Sequence, residues 1–60
     1  MGDKLTFSIQ EFCIAHSISR AMFYVLLNEG KAPITMKVGK RRLISIEAAE
    51  LWRRQMEKSD

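Results

Sequence analysis

Apolar residues recur at helical spacing near the start of the chain. The first such set lies at i, i+3, i+4 and i+7 and consists of Ile9, Phe12, Cys13 and His16. This spacing predicts one buried stripe along a helix over residues 9–16. Ser8 and Glu11 have the spacing of a capping box, and Phe7 and Phe12 have that of a hydrophobic staple. The helix should therefore begin at Ile9.

A second helix is predicted after a very short connection. Ser19 stands at the N-cap position and Gly30 is placed to close the helix in the left-handed conformation, so the helix should cover residues 20–29. Its apolar face consists of Phe23, Leu26 and Leu27. Because only a tight turn around Ser17 joins the two helices, they should cross steeply, as in a helix-turn-helix unit. Tight helical hairpins of protein-binding bundles have the same spacing and are the alternative.

Alternation at strand period replaces helical spacing after Pro33. Residues 34–44 are predicted to form a β-hairpin with Gly39 and Lys40 in its two-residue turn. A two-stranded ribbon is marginally stable alone, so we expect it to lie against the helices. The apolar side chains expected at that contact are Met36, Val38 and Ile44.

A third helix is predicted over residues 46–57. Ser45 is its expected N-cap, and Glu47 lies in the first turn, where the helix dipole favours an acid. Its apolar face consists of Ala48, Ala49, Trp52 and Met56. The order helix, helix, β-hairpin, helix predicts one domain over residues 1–60, of the α+β class but mainly α, with winged helix-turn-helix architecture.

The composition limits the chain to one small domain and indicates a polyanionic partner. Of 60 residues 47% are apolar, and no apolar run approaches the roughly 20 residues that span a bilayer, so we expect a cytoplasmic protein without membrane contact. The net charge is +3, and residues 31–42 contain no acid. The cations of this basic block are Lys31, Lys37, Lys40, Arg41 and Arg42. A solvated charged loop is the alternative interpretation.

Cys13 and His16 are the candidates for metal binding or nucleophilic chemistry, because they lie at i and i+3 of one helix. A zinc site needs three or four ligands, whereas the chain has one Cys and one His. The sequence also lacks a glycine-rich phosphate loop and paired catalytic carboxylates. We therefore expect neither catalysis nor a cofactor, and Cys13 is predicted to be a buried thiol.

Several short motifs follow one another over residues 5–56: Ser8-x-x-Glu11, Ile18-Ser19-Arg20, Tyr24, Glu29-Gly30-Lys31, Pro33, Val38-Gly39-Lys40-Arg41-Arg42-Leu43-Ile44 and Trp52. In order and spacing they resemble the excisionase or AlpA type of small DNA-binding proteins of phages and mobile elements, which are relatives of the MerR-like winged helix domains. The chain departs from that family at His16, Ser17, Val25 and Ser45, where an apolar residue, glycine, a polar residue and proline are common.

The resemblance implies that the second helix reads the major groove and that the hairpin, the wing of such domains, contacts the DNA backbone or minor groove. It also implies that adjacent copies of the protein bind direct repeats. Two roles are implied. One is a recombination directionality factor that acts with an integrase, and the other is a small transcription regulator.

The second helix should present its DNA-contacting residues opposite its apolar face: Ser19, Arg20, Ala21, Tyr24 and Asn28. Arg20 can bind guanine O6 and N7, Ala21 can contact a thymine methyl group, and Tyr24 can donate to a phosphate. The wing should contact phosphates through Lys37, Lys40, Arg41 and Arg42. The alternatives are an ordinary solvated helix face and a charged strand edge that prevents aggregation.

The predicted function is sequence-specific binding of double-stranded DNA. The alternative from another class is a protein-interaction module, in which exposed Val25, Leu51 and Met56 dock a protein and the basic hairpin only confers solubility. RNA binding is a third possibility, but the chain has one Tyr and no sheet of aromatic residues on which single-stranded bases stack.

Overall fold

The computed structural model describes residues 5–58 and contains three helices and a three-stranded antiparallel sheet. The elements are β1 (Thr6–Ser8), α1 (Ile9–Ala15), α2 (Arg20–Asn28), β2 (Met36–Val38), β3 (Arg41–Ser45) and α3 (Ile46–Lys58). The α+β class and the starts of all three helices are confirmed. The first two helices end one residue earlier than predicted, and the third ends one residue later. None of the helices in residues 5–58 combines the length and apolar character that a membrane span requires.

α1 begins where the local sequence stabilises a helix start. The Ser8 hydroxyl accepts the Glu11 backbone N–H at 3.1 Å, and the Glu11 carboxylate accepts the Ser8 backbone N–H at 2.9 Å. Phe7 and Phe12 meet edge to face with ring centroids 6.1 Å apart. The predicted capping box and the predicted staple contact are thus both present.

α1 and α2 end in the same way, although different residues close them. The Ile18 N–H donates to the Cys13 carbonyl at 3.0 Å, and the Lys31 N–H donates to the Leu26 carbonyl at 2.8 Å. Each bond joins residues five apart in the chain, as in a Schellman motif. The left-handed residue is Gly30 after α2, with φ of 73°, as predicted. After α1 it is Ser17, with φ of 59°. A residue with a Cβ in this conformation costs about 1–2 kcal/mol, so the turn before α2 is strained.

The hairpin belongs to a larger sheet than the sequence predicts. β1 pairs with β3, the strand order is β1-β3-β2, and Phe7 lies opposite Ile44. The predicted hairpin is therefore present, but the expectation that its sheet has only two strands is wrong. β1 has three residues, too few for a readable alternation, and its last residue is also the N-cap of α1. This third strand supplies the support that a hairpin lacks when alone.

The expected packing of the hairpin is confirmed for Ile44 and is wrong for Met36 and Val38. β2 begins at Met36 rather than at residue 34, and Ile34 is exposed. Met36 pairs with Leu43 and Val38 pairs with Arg41, so these side chains lie on the face opposite Ile44. Ile44 is fully buried, whereas 40% of Met36 and 54% of Val38 are exposed. The two-residue turn at Gly39 and Lys40 gives the predicted register, and in that register Met36 and Val38 cannot share a face with Ile44.

The core is a small aromatic cluster between the helices and β3. Its buried residues are Phe12, Cys13, Phe23, Ile44, Ala49 and Trp52. Phe12 meets both Phe23 and Trp52 edge to face, at centroid distances of 5.8 and 5.2 Å. The Trp52 indole N–H donates to the Lys31 carbonyl at 2.8 Å and so ties α3 to the chain after α2. The Ser45 hydroxyl caps α3 by accepting the Ala48 N–H at 2.9 Å, as predicted.

Candidate nucleic-acid interface

α2 has one face in the core and one face in solvent, as predicted. Phe23 is fully buried and Leu26 and Leu27 are partly buried. All five candidate contact residues of this helix are exposed: Ser19, Arg20, Ala21, Tyr24 and Asn28. The Ser19 hydroxyl accepts the Met22 N–H at 3.0 Å, so this side chain stabilises the start of α2. The structure thus brings the predicted α2 residues onto one side of the helix.

Arg20 places a positive charge where a helix disfavours it. α1 and α3 have an acid in their first turn, Glu11 and Glu47 respectively, whereas α2 has none and begins with Arg20. The first turn of a helix carries the positive end of its dipole, so a cation there costs about 0.3–1 kcal/mol. Burial raises the pKa of the Cys13 thiol, and the charge of Arg20 opposes this shift. The start of α2 therefore carries an exposed positive charge near a buried thiol.

Tyr24 is half-exposed and rests on the core. Its ring meets that of the buried Phe23 nearly perpendicularly, at 88° and a centroid distance of 5.7 Å. This contact restricts the orientation of the Tyr24 ring, so that the position of the phenol oxygen depends on packing below it.

The middle of the exposed α2 face is apolar, and of its apolar residues the predicted contact set includes only Ala21. Ala21, Val25 and Asn28 lie at i, i+4 and i+7, and Val25 is 48% exposed. Met22, beside them, is also 48% exposed. The sequence analysis assigned exposed Val25 only to protein docking, although its spacing from Ala21 already places it on the DNA-contacting face.

The hairpin cations divide between the two faces of the sheet. Lys37 lies directly opposite Arg42, on the face that Ile44 shares, while Arg41 lies opposite Val38 on the other face. Lys40 occupies the turn after Gly39, whose φ of 63° is that of the first central residue of a type II′ turn. Like charges directly opposite each other destabilise a strand pair by about 0.2–1 kcal/mol.

All four hairpin cations are exposed, and within residues 5–58 none of them forms an ion pair. The nearest acids in the sequence are Glu29 and Glu47. The Glu29 carboxylate pairs with Lys31, not with a hairpin cation, at 4.0 Å between Oε1 and Nζ. α2 packs on α1, and β3 packs on α1 and α3. The α2 residues and the hairpin cations are thus carried by different elements around one core.

His16 is a structural residue with both ring nitrogens engaged. Nδ1 lies 2.8 Å from the Phe12 carbonyl, which can only accept, and Nε2 lies 3.0 Å from Arg53, which can only donate. The ring also stacks on Phe12 at a centroid distance of 4.1 Å. Cys13 is 3% exposed, and no three potential metal ligands come together within residues 5–58.

Of the residues suited to docking a protein, Val25 and Leu51 are about half-exposed, at 48% and 49%. Met56 packs against the core and is only partly exposed, so the expectation that it is free to dock a partner is wrong. Val25 is on α2 and Leu51 is on α3. The exposed apolar residues of that alternative are therefore on separate helices.

No protein-family model matches this chain. Neither a curated protein nor a solved structure is significantly similar to it. What the surface binds must therefore be inferred from its own residues. These are one cation and several apolar side chains on α2, and four cations on the hairpin.

Proposed function

We propose that the protein is a winged helix-turn-helix domain that binds double-stranded DNA. α2 enters the major groove, and the β2–β3 hairpin is the wing that contacts the backbone or the minor groove. The observation that carries the proposal is the hairpin charge: Lys37 faces Arg42, Lys40 and Arg41 adjoin them, and residues 30–46 contain no acid.

This charge arrangement opposes folding and favours a polyanion. Lys37 and Arg42 repel each other across the strands, and Arg20 is unfavourable at the start of α2. DNA phosphates would relieve both repulsions, because each bound cation replaces a condensed counterion of the duplex. A hairpin whose charge served solubility alone would not need its cations face to face.

α2 has the properties of a helix that reads bases. An α-helix fits the major groove, which is about 12 Å wide, and residues near the N-terminus of a recognition helix contact base edges. Arg20 is exposed at that end and can bind guanine O6 and N7, while Tyr24 can donate to a phosphate. The contacts with bases thus come from α2 and those with phosphates mainly from the hairpin.

The biological role we propose is that of an accessory factor on a phage or mobile element. It acts either as an excisionase-like directionality factor beside an integrase or as a small transcription regulator, and adjacent copies bind together on DNA. Both roles use the same surface, so the chemistry of the site does not separate them. An excision assay with the integrase of the element does: excision that is unchanged without this protein removes the recombination role.

Salt dependence of binding tests the proposal directly. Fluorescence anisotropy with a pool of random-sequence duplexes should give affinity that falls with salt on a log-log slope of about −4 to −6, as expected when about five or six phosphates are neutralised. Arg54→Gln is the control, because Arg54 is paired with Glu50 on α3 and should leave the slope unchanged. Absence of binding at about 50 mM salt, where non-specific contacts are strongest, would instead favour the protein-interaction module.

A further inference from the structure

Most of the exposed face of α2 is apolar. Between Arg20 and Asn28 its solvent side carries Ala21, Met22 and Val25 beside Tyr24, and α2 contains no acid. Met22 and Val25 are each 48% exposed. The side chains of Ala21, Met22 and Val25 carry no hydrogen-bond donor, so they contribute to recognition through apolar contact.

The major groove offers one apolar group to such a face. Its base edges present hydrogen-bond donors and acceptors, except for the C5 methyl group of thymine. An apolar side chain set against the polar edges would leave them without water or partner, at a cost of about 1–3 kcal/mol for each buried group. The same side chain against a methyl group incurs no such cost.

We propose that α2 selects its target by contacting thymine methyl groups with Ala21 and Val25, an inference that rests on the proposed DNA binding. The occupant of this apolar face is therefore DNA with A·T pairs in the major groove, next to the base that Arg20 contacts. Charge complementarity favours DNA over an apolar protein surface, since the only charge on α2 is positive and the hairpin adds four cations.

The backbone and rotamers of α2 suit this contact. Val25 is β-branched, and such a side chain has one strongly preferred rotamer in a helix, so its methyl groups are held in place before binding. Ala21 and Val25 are four residues apart, which is a rise of about 6 Å along α2. Successive bases are about 3.4 Å apart, so the two contacts correspond to thymines one or two base steps apart.

The test replaces thymine by uracil, which removes the methyl group and keeps the base-pairing edge. Selection from a pool of random-sequence duplexes first gives the preferred site, in which we expect two thymines one or two steps apart. Uracil at each of them should weaken binding about fourfold, the equivalent of one buried methyl-sized group. Uracil elsewhere in the same duplex is the control and should have no effect.

Two protein variants assign the effect to α2. Val25→Ser should remove the sensitivity to uracil at one thymine, because the side chain that contacts the methyl group is gone. Ile14→Ser is the matched control: Ile14 is 70% exposed on α1, so it makes a similar change of surface outside α2 and should keep the full sensitivity. Circular dichroism should report an intact fold for both variants.

Each outcome decides between the two proposals. Salt-dependent binding without thymine preference, or with equal affinity for thymine and uracil duplexes, overturns methyl recognition and leaves DNA binding standing. Uracil sensitivity that persists in Val25→Ser but is lost in Ile14→Ser places the reading surface on α1 and also overturns it. No binding to any duplex at low salt overturns both proposals and assigns the apolar face to a protein partner.

Discussion

α2 and the β2–β3 hairpin are exposed to solvent in opposite ways. α2 rests on the core through the fully buried Phe23, and its cap and closing turn are both hydrogen-bonded. Every residue of β2 is exposed, and the hairpin touches the core through Ile44 near its base. The proposed contacts with bases thus come from a helix packed on the core, and those with phosphates come from a hairpin whose outer strand is fully exposed.

The difference matches what each kind of contact requires. A base contact depends on donors and methyl groups at defined positions, which only an element fixed by packing supplies. A phosphate contact depends mainly on charge and tolerates movement of a long side chain. Substitutions that disturb packing should therefore reduce stability strongly in α2 and weakly in the hairpin. Substitutions that remove charge should change the salt dependence of DNA binding more in the hairpin.

The largest expected effect comes from removing the support of α2. Phe23→Ala should cost about 3–5 kcal/mol, because it empties a fully buried site. That is comparable to all the stability that a core of this size supplies, so the variant should lack a cooperative thermal transition by circular dichroism. Val38→Ala in the hairpin is the control and should change stability by less than about 0.5 kcal/mol. Equal losses for both would contradict the comparison.

The next effect separates base reading from charge. Arg20→Ala should weaken binding to the selected site by about 1–3 kcal/mol and affect random duplexes much less, since a bidentate guanine contact exists only where the guanine does. Arg41→Ala should weaken both by the same factor and reduce the salt slope by about one unit. Anisotropy titrations on both duplexes measure this. An Arg20→Ala loss that is identical on the two would show that α2 is not the reading helix.

A smaller effect concerns the turn that leads into α2. Ser17→Gly should stabilise the protein by up to about 1 kcal/mol, because glycine adopts φ of 59° without strain. The melting temperature should rise by about 4–8 °C for each kcal/mol gained. Ala15→Gly, two residues earlier in α1, is the matched control and should lower stability by about 0.5–1 kcal/mol. A decrease for Ser17→Gly would mean that the serine side chain stabilises the turn.

The smallest expected effect is on the stability of the hairpin itself. Lys37→Thr removes the repulsion with Arg42 and should stabilise the protein by about 0.2–1 kcal/mol while weakening DNA binding and lowering the salt slope by about one unit. Urea unfolding and anisotropy measure the two changes. Val38→Thr, which keeps every charge, controls for the change of strand residue. A lower free energy of unfolding together with unchanged DNA affinity would indicate that Lys37 stabilises the fold and does not contact DNA.

The exposed side of α2 and the pairing within the hairpin were largely predictable from sequence, and the packing of the hairpin was not. All five predicted α2 residues are exposed because the spacing of Phe23, Leu26 and Leu27 places them opposite the core. The facing of Lys37 and Arg42 follows from the predicted two-residue turn at Gly39 and Lys40, whereas the alternation from residue 34 wrongly placed Met36 and Val38 on the buried face. DNA binding itself stays a prediction until the salt dependence is measured.

The sequence by itself determined where the helices begin and how α2 ends. Ser8, Ser19 and Ser45 each accept a backbone N–H three residues later, and Gly30 closes α2 in the left-handed conformation. These signals are readable because both partners of each bond lie within one helical turn. Only the tertiary structure decided that residues 6–8 form a strand and which face of the hairpin is buried. Those features depend on the pairing of Phe7 with Ile44, which are far apart in the chain, and on the burial of the Ile44 face against the core.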